Sequence, residues 1–290
     1  MHRTCSAQRA CSLAQNMGNT MSTSQLLLSN LGLVAACMTL LWLLSLPLKN
    51  VSIVDIFWGP GFAVIAMATW LLSEGNDDRK WLLTLLTTVW AARLGIYLAK
   101  RLAREKEDGR YRMLAEKWGE KTQRNLFVFF QIQALWAVMF AVPMLAAASN
   151  PTGALGWTDF LAVAIFAVGV LGESVADAQL ERFRSNPANA GRVCREGLWA
   201  WSRHPNYFFE WVHWWAWVLL AVGGPLVSVA VALAGPVLMY VFITRLTGIP
   251  PVEKRAVVTR GDAYREYQSS TSSFFPRRPK TREKLSEVTT

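Results

Sequence analysis

Asn206, Glu210 and His213 repeat at helical spacing, and so do Glu173, Asp177, Glu181 and Arg184. Offsets of three and four residues put side chains on one helix face, so each set forms a polar stripe. Both stripes lie in or beside strongly apolar segments, where an ionisable group costs several kcal/mol unless it is paired or hydrated. The first begins in a basic knot, Ser202-Arg203-His204-Pro205-Asn206, set against a tryptophan-rich run. Arginines of this kind suit phosphates by bidentate pairing, while amides and acids suit hydroxyls and carboxamides.

Further polar residues share the pattern. Asp55 opens one apolar segment, Arg93 and Tyr97 close another, and Arg245 closes a third. A bland reading stands beside the chemical one: intramembrane carboxylates pair with Arg93 or Arg203 to hold helices together, and Trp211, Trp214, Trp215 and Trp217 form an interfacial belt. His213 equally suits a satisfied packing histidine.

The elements that must position these groups follow from composition. Of 290 residues, 52% are hydrophobic, and the fourteen tryptophans and the clustering of apolar residues fit a membrane protein. Runs near the bilayer-crossing length fall at 26–46, 53–72, 81–99, 126–147, 157–180, 205–222 and 225–246. The expected fold is therefore all-α and polytopic, with seven transmembrane helices and a cavity facing the cytoplasm. Residues 1–22 are read as a targeting or poorly ordered segment, 23–276 as the membrane domain and 277–290 as a polar tail.

Orientation follows from the basic residues. Lys100–Arg124 carries nine Lys/Arg, Arg182–Arg203 five and the chain beyond Gly248 nine, whereas the alternate connections carry few. The amino terminus is expected outside or in a lumen, and the carboxyl terminus and polar site in the cytoplasm. The net charge of +10 then reads as a lipid-facing surface that needs no nucleic acid partner. All the costly residues named above are expected in the cytoplasmic half.

Several chemistries lack support. There is no dinucleotide-binding Gly-x-Gly-x-x-Gly after a strand and no Gly-x-x-x-x-Gly-Lys loop. His204, Glu210 and His213 lack helical zinc spacing, so no metal is expected. No Gly-x-Ser-x-Gly or Cys/His nucleophile pattern appears. The four cysteines, Cys5, Cys11, Cys37 and Cys194, show no disulfide framework. Gly59-Pro60-Gly61 is expected to bend the second span or to pack it closely.

The stretch "GLWAWSRHPNYFFEW" at 197–211 resembles the carboxy-terminal signature of the steroid 5-alpha-reductase family, particularly its bacterial and protist branch of steroid reductase-like membrane proteins. The resemblance continues through "ADAQLERFRSNPANAGRV" at 176–193 and "GIPPVEKRAVVTRGDAYREYQSSTSSFFP" at 248–276, and more loosely through "VDIFWGPGF" at 54–62 and "EDGRYRMLAEKWG" at 107–119. It implies a seven-helix oxidoreductase that binds NADPH and reduces a carbon–carbon double bond conjugated to a ketone. The lipophilic substrate would be a 3-oxo-4-ene steroid or another enone, and the protein a monomer in the bilayer.

By the same resemblance Asn206, Glu210, Asp177, Arg184 and Arg192 line the cofactor site, with Arg93 from the third-helix pattern; Arg203, His204, Glu173, Tyr207, Arg255 and Tyr267 are further candidates for it. The family's third-helix tyrosine is Trp90 here, and its second-helix Gln-Glu pair is replaced by Phe57 and Trp58, with Asp55 the nearest acid. Hydride delivery to an enone builds charge on the carbonyl oxygen, which a hydrogen-bond donor must stabilise. Asp55 is the expected donor and Tyr97 the second choice, with the indoles of Trp58 and Trp90 as polarising contacts.

Two rivals remain. The Arg-His-Pro-x-Tyr element also resembles membrane methyltransferases of the isoprenylcysteine and phospholipid type, which use S-adenosylmethionine, and Glu253 could imitate one of their glutamates. A non-enzymatic lipid-binding or transport protein would place costly residues in the outer half as well.

Overall fold

The computed structural model describes residues 21–104 and 109–279. The expected roles of 1–20 and of 280–290, and Cys5 and Cys11 with them, lie outside the described residues. Among the described residues the secondary structure is helical, with no strand.

Helix α1 (Thr23–Leu48) starts at a capping box, in which Ser22 Oγ accepts from the Gln25 amide at 3.4 Å and Gln25 Oε1 accepts from the Ser22 amide at 3.0 Å. It stops where Lys49 turns into the left-handed region (φ 48°). Helices α2 (Ile53–Leu72) and α3 (Asp77–Arg104) follow, then the short α4 (Gly109–Trp118) and the long α5 (Thr122–Ala148). Next come α6 (Trp157–Ser185), α7 (Pro205–Ala221) and α8 (Leu226–Val241). A π-helical turn (Phe242–Leu246) leads to α9 (Ile249–Arg260) and α10 (Asp262–Ser270). Pro205 opens α7, where its missing N–H is no loss.

Each of the seven expected apolar segments is helical. Six helical segments are long and apolar enough to cross a membrane, the last running Leu226–Arg260. The exception is α7: its 17 residues reach about 26 Å at 1.5 Å per residue, short of a hydrocarbon core of about 30 Å. The fold is thus compatible with an integral membrane protein with six candidate spans among the described residues. Helix α4 was not foreseen as an element.

The chain divides into two compact units. One comprises the chain up to Gly156 with Leu220–Ala232, the other Trp157–Leu219 with the chain from Leu233 onward. In the first unit α2 and α3 pack closely, because a Cβ on Gly59 would lie 2.9 Å from the Ala91 carbonyl oxygen. This is the close packing expected of the Gly-Pro-Gly element.

The first unit also buries polar side chains at helix ends. Arg79 and Asn150 are buried. Arg79 Nη1 donates to the carbonyls of Thr152 at 2.9 Å and Asn150 at 3.5 Å, and Asn150 Nδ2 donates to those of Leu220 and Val222 at 2.9 and 3.1 Å. Lys80 Nζ donates to the Ser73 carbonyl at 2.9 Å. These side chains satisfy backbone carbonyls that helix ends leave without partners.

Candidate functional site

In the second unit α6 and α7 approach closely because α6 presents glycines. A Cβ on Gly169 would lie 2.6 Å from His213 Cβ and 2.7 Å from the His213 amide nitrogen, and one on Gly172 would lie 2.3 Å from the Phe209 ring. Small residues let helix backbones approach, and here they bring the two polar stripes face to face.

Asn206 Nδ2 donates to Asp177 Oδ1 at 3.2 Å. Asn206 Oδ1 is buried without a hydrogen-bond partner. A buried amide oxygen left unsatisfied is uncommon and costs about 1–3 kcal/mol, which makes it a natural place for a ligand donor. Glu173 and Asp177 are both buried on the α6 face. One turn further along α7, Trp214 Nε1 donates to Glu210 Oε1 at 3.1 Å, and His213 Nδ1 lies 3.7 Å from Glu210 Oε2. His213 also packs edge-on against Phe166.

The basic knot before α7 is satisfied from the carboxyl-terminal helices. Arg203 Nε donates to Glu253 Oε1 at 2.7 Å, while its Nη1 donates to the Gln268 carbonyl at 2.9 Å and to the Thr271 carbonyl. His204 Nε2 lies 3.1 Å from the same Glu253 oxygen, and Gln268 Nε2 donates to Glu253 Oε2 at 2.8 Å. Burial pushes the His204 imidazole below its usual range, outweighing the neighbouring carboxylate, which pulls the other way. The ring is therefore neutral at pH 7 and donates to Glu253, with Tyr207 stacked on it at 5.5 Å.

Residues 271–277 run beside the knot as a strap. The Arg203 amide donates to the Ser272 carbonyl, the Arg277 amide to Trp201 and Ser202 Oγ to Phe274. Phe274 sits among Phe208, Trp211 and Tyr240, with ring centroids 5.4–5.9 Å away. Tyr267 is buried and donates its hydroxyl to the carbonyls of Trp199 and Ser202. Burial pushes the phenols of Tyr264, to about 12, and Tyr267 above their usual range, so both stay protonated. Cys194 is likewise buried, and its thiol is pushed up.

Arg184, Arg192 and Arg255 are exposed. Arg192 Nη1 donates to Asn189 Oδ1 at 3.2 Å, and the Arg192 carbonyl accepts from Arg260. Arg203 and His204, by contrast, are held by Glu253.

In the first unit Asp55 Oδ1 accepts a hydrogen bond of 2.8 Å from the hydroxyl of Tyr111, a buried residue on α4. The Arg93 guanidinium lies over the Tyr97 ring at 5.5 Å. Phe62 bridges Trp58 and Trp90 edge-on at 5.6 and 5.4 Å.

Sequence reasoning gave no role to Tyr111, Gln268 or the strap, although the stretches 107–119 and 248–276 contain the two residues and most of the strap, and it gave Glu253 one only in the methyltransferase reading. Glu253 had a usable signal, as the sole acid in 249–260. Among the described residues no cluster of His, Cys, Asp and Glu is placed to hold a metal ion.

Comparison with known proteins gives a family and two relatives. A family model described as a protein of unknown function (DUF1295) matches residues 41–271. An uncharacterized protein of Schizosaccharomyces pombe is 29% identical over 270 residues, covering 82% of this chain and 76% of the relative. The "Probable O-methyltransferase ustE" of Ustilaginoidea virens is 34% identical over 90 residues, 30% of this chain and 31% of that protein. No solved structure matches.

Proposed function

The chain belongs to the DUF1295 family, and from that premise we propose that it is a membrane-embedded, NADPH-dependent oxidoreductase. It reduces a carbon–carbon double bond conjugated to a ketone in a lipophilic substrate, a 3-oxo-4-ene steroid being the first class to try. The observation that carries this reading is the Asn206 amide, tied by Nδ2 to Asp177 and buried at Oδ1 with no partner.

The donor set fits a phosphorylated dinucleotide. Asn206 Oδ1 is suited to a carboxamide N–H, Asp177, Glu173 and Glu210 to hydroxyl or amide donors, and Arg184, Arg192 and Arg255 to phosphates. When bound, NADPH supplies a hydride. The protein's own part is orientation and electrostatics: the α6 and α7 stripes hold the ligand. Asp55, Tyr97 and the indoles of Trp58 and Trp90 are assigned to polarising the substrate carbonyl. Arg203 and His204 act one step back, fixing the start of α7 and hence Asn206. The carboxyl-terminal helices belong on the cytoplasmic side, as the distribution of basic residues implies.

The match to a probable O-methyltransferase favours one alternative, S-adenosylmethionine-dependent methyl transfer. That donor carries no phosphates and makes no use of the exposed arginines.

Purified protein in detergent, given NADPH and testosterone as a probe enone, is expected to oxidise NADPH with formation of the saturated ketone. Methyl transfer from labelled S-adenosylmethionine to a lipid acceptor, with NADPH left intact, would replace the reductase reading.

A further inference from the structure

Enone reduction consumes a proton as well as a hydride, and a withdrawn donor must recover that proton from water. The first unit contains a route by which it could. A cavity of about 230 Å³ lies at the ends of the spans, between the close of α1, α4 and the start of α5; its lining includes Ser45, Lys49, Tyr111, Thr122 and Gln123. Lys49 and Gln123 are exposed, so the cavity has a wet rim. Tyr111 belongs to both places: it walls this cavity, and its hydroxyl donates to Asp55 Oδ1 at 2.8 Å while the residue itself is 3% exposed.

We propose that Tyr111 is the positioning residue of Asp55 and the link through which the cavity supplies it with protons. This rests on the oxidoreductase reading for its purpose but not for its geometry. A phenol hydroxyl is both donor and acceptor. It can therefore pass its proton to the carboxyl group and take another from cavity water. Per turnover the double bond gains one hydride from the reduced nicotinamide and one proton through Asp55, and the proton is restored from water, leaving hydroxide to the bulk. Tyr111 contacts neither substrate nor cofactor in this scheme. Its ring is also held by Phe129, edge-on at 6.0 Å, which keeps the hydroxyl aimed at Asp55.

The test is infrared difference spectroscopy of the full chain in detergent, in H2O and D2O, with the Asp55 carboxyl band assigned by its loss in Asp55→Asn. Tyr111→Phe keeps the ring and its packing, and Ala115→Trp fills the cavity while leaving the hydroxyl in place. In Tyr111→Phe the Asp55 band is expected to change frequency. Both variants are expected to exchange the Asp55 proton for deuterium at least about tenfold more slowly. An Asp55 band and exchange rate identical to wild type in both variants would overturn the inference. No cofactor is present in these measurements, so NADPH binding, measured separately on the same samples, judges the oxidoreductase reading on its own. If NADPH binds and testosterone is reduced, Tyr111→Phe is further expected to lower kcat about tenfold with KM unchanged and to displace the pH profile, which loss of packing alone would not do.

Discussion

Arg203 meets Glu253 at 2.7 Å across fifty residues of sequence, and their side chains are only 10% and 14% exposed. A basic knot beside an apolar helix is thus stabilised from within the chain: one carboxylate serves Arg203, His204 and Gln268 together. The pair fixes the entry to α7, and with it the depth at which Asn206 and Glu210 sit.

Breaking this pair should cost stability before it costs chemistry. Removing one partner of a largely buried ion pair typically costs about 3–5 kcal/mol. Glu253→Ala and Arg203→Ala should each lower the melting temperature in detergent by several degrees. The double variant should lose less than the sum of the two, since neither leaves its partner stranded. Additive losses would show that the two side chains act separately.

His204 should make stability sensitive to mild acid. Its folded imidazole titrates below the ordinary value of 6.5 because it is buried. Above about pH 6.5 neither the folded nor the unfolded ring binds a proton, and the contribution is fully present. As pH falls from there through the folded value, the unfolded chain takes up a proton that the folded chain refuses, and stability drops. Melting curves from pH 7.5 to 5 should show this loss, and His204→Gln should flatten it. An unchanged slope in the variant would assign the acid sensitivity elsewhere.

Gly169 should tolerate no side chain. A Cβ there meets the His213 backbone nitrogen at 2.7 Å, so α6 and α7 must separate to admit it. Gly169→Val is expected to lose about 1–3 kcal/mol from overpacking and to weaken ligand binding, by drawing Asp177 away from Asn206. Binding at wild-type strength in a folded Gly169→Val protein would show that the facing stripes are not the ligand site.

The exposed arginines should distinguish a phosphorylated cofactor. Charge-assisted hydrogen bonds contribute about 1.5–3 kcal/mol each. Arg184→Ala and Arg192→Ala are therefore expected to weaken NADPH binding roughly tenfold or more, with little change in melting temperature. If both bind NADPH as wild type does, the phosphates are held by other residues.

Features of the fold differ in how far the sequence alone specifies them. Apolar runs predicted all seven helical segments because length and hydropathy act locally. Only α7 fell short, since Pro205 fixes its start and Gly223, at φ 89°, follows its end. The facing of the two stripes was legible as well: spacing placed Asp177 and Asn206 on polar faces, and glycines at 169 and 172 permit the approach. The ties of Arg203 were not legible. They depend on Glu253 and on carbonyls of Gln268 and Thr271, which the fold returns from 50 to 68 residues away. Tyr111 was hidden for the same reason, its partner lying 56 residues earlier in the chain. Arg79 and Asn150 escaped notice because their partners are backbone carbonyls, which no residue type announces.

The most direct test of the central claim is calorimetric titration of the detergent-solubilised protein with NADPH, NADH and S-adenosylmethionine in parallel, repeated on Asn206→Ala. The oxidoreductase reading predicts that NADPH binds most tightly and that the variant loses at least about tenfold in affinity while its melting temperature holds. Binding of S-adenosylmethionine alone, or NADPH binding indifferent to Asn206, would contradict it.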